Sequence, residues 1–102
     1  METPDLAQQL TALRHSIDNI DAALIHMLAE RFRCTDQVGL LKARYQLPPV
    51  DKDREQHQYA RLTALANEAS LDPAFVEKLM HFVISEVVQR HQTTAARQDS
   101  WA

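Results

Sequence analysis

The sequence predicts an all-α fold of three helices, long, short and medium, completed as a dimer. Three observations predict it. Between Asp5 and Leu47 there is no proline and a single glycine, Gly39, and one heptad pattern runs through that stretch unbroken. Pro48-Pro49 and then Leu71-Asp72-Pro73 divide the rest into two further apolar segments of helical period. No segment alternates with the two-residue period of a strand.

The first helix carries two apolar seams. One reads Leu10, Ile17, Leu24, Arg31, Val38; the other reads Leu6, Leu13, Ile20, Met27, Cys34, Leu41. Alternating steps of four and three place both on one helical face. Thr3 reads as the N-cap, Pro4 as the first helical residue and Asp5 as part of the first turn. The end is expected at about Tyr45, because Pro48-Pro49 supply no amide hydrogen and push the preceding residue out of the helical region. About 40 helical residues make a rod of roughly 60 Å, whereas a compact monomer of this size is roughly 35 Å across. The apolar face therefore needs cover from outside the chain, and a second copy is the simplest cover. Cys34, in the seam, reads as a small buried hydrophobe.

Asp51 reads as the cap of the second helix, with Tyr59, Leu62, Leu65, Ala66 and Ala69 on its buried side. Asp72 caps the third, Pro73 takes its first position and Leu71 can staple onto Val76. The third helix carries Phe75, Val76, Leu79, Met80, Phe82, Val83, Ile84, Val87 and Val88, an arc wide enough to be buried on more than one side. It is expected to fray after about Thr94, leaving a polar tail from about residue 95.

One domain over residues 1–102 suits this length, and 45% apolar with 25% charged residues suits a globular protein. A net charge of −3 argues against a general nucleic-acid binder. A single cysteine excludes an intrachain disulfide framework and fits a reducing, cytoplasmic setting. No apolar run approaches the ~18 residues of a membrane span, and METPDLAQQL has no basic segment followed by an apolar one, so neither membrane insertion nor a secretory signal is expected.

Arg31 is the informative residue, since it occupies a seam position where a plain coiled coil places an aliphatic side chain. A buried guanidinium needs an anion. Arg14 and Lys42 lie in the adjacent heptad column (Ala7, Arg14, Asp21, Leu28, Thr35, Lys42), and Arg54 follows with Asp51 and Glu55 beside it. Fixed cations on an apolar face suggest a pocket for a small anion. Arg14 and Arg31 are roughly 25 Å apart along one helix, so an antiparallel partner would have to bring its Arg14 to this Arg31. No Gly-rich phosphate loop and no cysteine or histidine pair at metal-site spacing is present. The histidines are scattered, and His26 and His81 read as surface or core-edge residues. No metal or cofactor is expected.

In order along the chain, Leu13-Arg14, Ile17-Asp18-xx-Asp21, Leu28-Ala29-Glu30-Arg31, Val38-Gly39-xx-Lys42, Asp51-xx-Arg54-Glu55 and Leu71-Asp72 resemble the all-helical (type II) chorismate mutases. The resemblance runs from Leu13 to about Gln92. It implies an intertwined homodimer with two sites, each taking Arg31, Lys42 and Arg54 from one chain and Arg14 from the other. It implies an isomerase of aromatic amino acid biosynthesis by the shikimate pathway, converting chorismate to prephenate by an intramolecular Claisen rearrangement without nucleophile, metal or cofactor. Arginines would hold the substrate's two carboxylates in a compact conformer. Lys42 would stabilise the charge growing on the ether oxygen, and Asp51 and Glu55 would hold the ring hydroxyl.

Two positions depart from the family's pattern. Val87 stands where many members place a serine, and His91 stands where a glutamine or glutamate meets the ether oxygen. Gln92 is turned about 100° away on the helix and is no substitute. His91 can donate from one neutral tautomer, and more strongly when protonated, so activity is expected to rise as pH falls from 8 towards 6. Rival readings are an isochorismate-pyruvate lyase, a 4-amino-4-deoxychorismate mutase and a non-catalytic helical dimerisation module. In the lyase branch the acidic positions flanking the second-helix arginine tend to be apolar, so Asp51 and Glu55 favour the mutase. The module explains the heptads but not Arg31.

Overall fold

The computed structural model describes residues 5–100, with side chains to residue 97. Three helices follow in chain order, α1 (Leu6–Arg44), α2 (Lys52–Glu68) and α3 (Pro73–Ser100), and there is no strand among the described residues. The all-α, long-short-medium expectation is met.

Helix α1 starts later than expected. Gln8 N donates to Asp5 Oδ1 at 2.7 Å and Asp5 N donates to Gln8 Oε1 at 3.1 Å, a reciprocal capping box. Asp5 is therefore the cap rather than part of the first turn, and Leu6 takes the first helical position expected for Pro4. Thr3 and Pro4 themselves lie outside the described residues.

Both helix ends that precede a turn use the same device. Leu47 N donates to Lys42 O at 2.7 Å and Gln46 N to Ala43 O at 3.3 Å; Leu71 N donates to Ala66 O at 2.8 Å and Ser70 N to Asn67 O at 3.2 Å. These pairs are Schellman motifs, and the residue at the bend has to adopt a left-handed backbone. Gln46 (φ 56°) and Ser70 (φ 57°) do so. The stop thus falls two residues before Pro48, and the prolines shape only the loop beyond it. A side chain at such a position costs about 1 kcal/mol that glycine avoids. Gln46→Gly and Ser70→Gly should each raise stability by ~0.5–1 kcal/mol, read as a higher urea midpoint at fixed protein concentration. A lower midpoint would mean the side chains make contacts that outweigh the strain.

The chain divides into two compact units, residues 1–34 and 35–102. In the first, the α1 seam is open to solvent: Leu6, Leu13, Ile17, Ile20, Leu24 and Met27 are each at least half exposed. Cys34 is exposed as well, with Sγ 3.9 Å from Glu30 Oε1. The expected burial of Cys34 is not found, because its seam has no cover in a single chain.

In the second unit α2 packs against α3. Gly39, Ala43, Ala66, Val83, Ile84 and the polar His91 form its buried set. Tyr59 and Leu62 are half-buried on α2, as expected, whereas Leu65 and Ala69 are exposed. Asp51 caps α2, accepting from Arg54 N at 3.0 Å, and Asp72 begins α3, accepting from Ala74 N at 3.0 Å. Arg90 bridges α3 to α1 through Asp36 at 3.3 Å while also holding Glu86 at 3.1 Å. Phe75, Leu79 and Phe82 leave an exposed apolar stripe along α3, so the wide arc is buried on one side only in the single chain. Helix α3 runs on to Ser100 instead of fraying after Thr94. The residues beyond Thr94 include no proline or glycine, Ala95 and Ala96 are strong helix formers, and Arg97 in the last turn complements the negative helix end.

Candidate active site

Helix α1 contributes one wall of a cavity, the start of α2 a second and the middle of α3 a third. Lys42, Asp51, Arg54, Glu55, Val87 and His91 line it together with Thr35, Val38, Pro49, Gln58, Ile84 and Val88, around a volume of about 150 Å³. The structure thus brings together six of the candidate residues that are scattered along the sequence. The N-terminus of α2 lies in the same lining, and its unpaired amide groups add positive potential there. Lys42 and Arg54 supply cations, Asp51 and Glu55 supply acceptors, and Ile84, Val87 and Val88 supply an apolar wall.

Each polar group is set by local structure. The loop between α1 and α2 turns back on Lys42: its main-chain oxygen accepts from Leu47 N and its Nζ donates to Pro49 O at 3.3 Å. The ammonium is half-buried at the cavity wall. Arg54 and Glu55 leave the first turn of α2, and the Asp51 cap that accepts from Arg54 N fixes where that turn begins. Glu55 also reaches a neighbouring groove, lined by Tyr59, His81, Ser85 and Gln92. There the Tyr59 hydroxyl sits 3.4 Å from His81 Nδ1. Burial first, and the Glu55 and Glu77 carboxylates second, push that hydroxyl above its ordinary pKa. Gln92 lines this groove and not the cavity of His91, as the helical offset requires.

His91 is 4% exposed. Its Nε2 lies 2.8 Å from the main-chain oxygen of Thr35. A carbonyl only accepts, so Nε2 carries the hydrogen. Nδ1 is buried and has no hydrogen-bond partner. The expectation that the neutral ring could also donate to a substrate oxygen is corrected by this geometry, since its one hydrogen is already given to Thr35.

Arg14 and Arg31 belong to residues 1–34. Arg14 is exposed; Arg31 is half-buried, and its Nη1 is buried without a hydrogen-bond partner. A buried guanidinium nitrogen left unpaired is the property that a seam arginine awaiting an anion should have.

Sequence reasoning missed Thr35, Pro49 and Gln58 as lining residues. Thr35 was within reach, since it sits one heptad before Lys42 in the same column, and Gln58 lies one turn after Arg54. Pro49 acts through its main-chain oxygen, which leaves no mark in a sequence. Among the described residues no cluster of three histidine, cysteine or acidic side chains is placed to hold a metal ion, and no helix is long and apolar enough to cross a membrane.

The family model described as chorismate mutase type II matches residues 13–92. The chain belongs to the type II chorismate mutase family. It is 35% identical over 79% of its length to the T-protein of Enterobacter agglomerans, and 34% identical over 81% to the bifunctional chorismate mutase/prephenate dehydratase of Escherichia coli K12. It spans 22% of the length of each of these two relatives. The chorismate mutase of Methanocaldococcus jannaschii is 28% identical over 78% of the chain and 80% of its own length. The 4-amino-4-deoxychorismate mutase of Streptomyces pristinaespiralis is 29% identical over 90% of the chain and 66% of its own length. The type II chorismate mutase match takes in every candidate residue, from Arg14 to His91.

Proposed function

We propose that this chain is a chorismate mutase that converts chorismate to prephenate. The observation that carries the reading is the shared cavity of Lys42, Arg54, Asp51, Glu55 and His91 in a chain of this family. The reaction breaks one carbon–oxygen bond and forms one carbon–carbon bond within a single molecule, so no group is transferred to the protein. The protein has two tasks: to hold the reactive conformer and to stabilise the charge that grows on the ether oxygen. Arg54 and Arg31 suit the first, pairing with the two carboxylates through planar, preorganised contacts. Lys42, held at the wall by Pro49, suits the second. Glu55 and Asp51 accept from the ring hydroxyl.

The site is completed by a second copy of the chain in a homodimer that donates Arg14. Two observations support this. The α1 seam from Leu6 to Met27 is exposed in the single chain, and burying such side chains gains about 1.5–3 kcal/mol each. The single-chain cavity, about 150 Å³, falls below the ~300 Å³ at which ligand pockets begin, so more wall is needed to enclose a dicarboxylate of this size. A cytoplasmic location belongs to the same reading.

A second reading has a specific observation in its favour. The likeness to a 4-amino-4-deoxychorismate mutase covers 90% of the chain, and Asp51 and Glu55 could hold an amine in place of a hydroxyl. Glu55→Ala tests the role of this acid. Loss of a hydrogen bond to a charged group costs ~1.5–3 kcal/mol, or roughly 10- to 100-fold in kcat/KM for chorismate. Unchanged chorismate kinetics would remove Glu55 from the site and favour pyruvate elimination from isochorismate.

A further inference from the structure

Helix α2 lines the cavity with one polar stripe. Asp51, Glu55 and Gln58 follow at steps of four and three, with Arg54 beside them. Three of the four are charged. Gln58 is the neutral member; it is half-buried, and its side-chain amide is hydrogen-bonded to none of the described residues. An amide carries two donor hydrogens and an acceptor oxygen. In a cavity wall, without a protein partner, it is available to a ligand.

The other N–H donors among the lining side chains have work elsewhere. His91 gives its Nε2 hydrogen to Thr35 O at 2.8 Å. Its ring is held there because residue 39 is glycine: a Cβ at Gly39 would fall 2.6 Å from Cδ2, closer than real Cβ atoms approach. Lys42 Nζ is held by Pro49 O at 3.3 Å and serves the ether oxygen. Arg54 is the cation for a carboxylate. A guanidinium fork fills two of the roughly four hydrogen-bonding positions of that carboxylate. Ile84, Val87 and Val88 on α3 offer no side-chain donor to the others, and an acceptor that loses water without gaining a partner is costly. Gln58 stands one turn after Arg54, where Cβ atoms are roughly 5–6 Å apart.

We propose that Gln58 is a substrate-binding residue whose amide donates to the carboxylate paired with Arg54, so that the site selects a substrate charged at that point. The proposal rests on the chorismate mutase reading. That carboxylate takes no part in the bonds that break and form, so the contact is as strong in the bound substrate as in the transition state. Such uniform binding lowers KM and leaves kcat alone. Lys42 differs, because its contact strengthens only as the ether oxygen gains charge.

Steady-state kinetics for chorismate on Gln58→Leu and Gln58→Glu, alongside thermal unfolding, test this. Gln58→Leu should raise KM by ~10-fold with kcat within about threefold of wild type. Gln58→Glu sets a negative charge against the carboxylate and should raise KM further. Both should keep the wild-type thermal midpoint, since the amide has no protein partner to lose. A KM within about twofold of wild type in both variants, a loss confined to kcat, or a rise in KM matched by a lower midpoint would overturn the proposal. If the wild type turns over no chorismate, the mutase reading fails, and calorimetric titration with chorismate, then an unreacted ligand, decides the role of Gln58 by itself. Binding ~10-fold weaker in Gln58→Leu than in wild type would uphold it, and equal or undetectable binding in both would overturn it.

Discussion

An equal mixture of Arg14→Ala and Arg31→Ala proteins, each nearly inactive alone, should recover about a quarter of wild-type activity after subunit exchange. Random exchange makes half of the dimers mixed, and each mixed dimer has one intact site and one site carrying both defects. Each single variant should lose at least ~100-fold in kcat/KM, since each removes a charge-assisted contact to a carboxylate. For Arg31 the structural ground is its buried, unpaired Nη1, and for Arg14 it is an exposed position in a chain whose α1 seam is uncovered. The measurement is chorismate turnover before and after exchange, with exchange followed by mass-tagged subunits. No recovery after complete exchange would place Arg14 and Arg31 in the same chain's site.

Lys42→Ala should be the most damaging change within one chain's own cavity, lowering kcat by ~10²–10³-fold with a smaller change in KM. Removing a preorganised donor to an oxygen that gains charge only in the transition state has this signature. Lys42→Arg should not restore the rate. The Nζ position is set by Pro49 O at 3.3 Å, and a guanidinium is longer, planar and directional where an ammonium is compact. Helical circular dichroism should be unchanged in both variants, because Lys42 is only half-buried. A fall below tenfold in kcat would assign Lys42 to the α1–α2 loop and not to the chemistry.

Much of this was legible in the sequence because the signals were periodic. The heptads and the Asp51 and Asp72 caps fixed three helices, and the ordered run from Lys42 through Glu55 pointed to residues that line one cavity, whereas Arg14 and Arg31 are not among its lining residues. What was not legible depends on the backbone. The ends of α1 and α2 are set by Gln46 and Ser70 in left-handed conformation, and neither is the glycine or asparagine that announces such a turn. Thr35 and Pro49 enter the site through main-chain oxygens, which any residue possesses. His91 could be placed by register, but which of its nitrogens is free depends on where α1 passes, and α1 passes close enough only because residue 39 is glycine. Cys34 was misread because its seam is uncovered in the single chain.

The central claim is that this cation-lined cavity rearranges chorismate without transferring any part of it. Purified protein incubated with chorismate in the presence of a metal chelator, and followed by proton NMR, tests that most directly. The account predicts prephenate as the single product, formed far faster than in buffer and suppressed in the Lys42→Ala protein. Release of pyruvate, or conversion no faster than in buffer at every pH between 6 and 8, would contradict it.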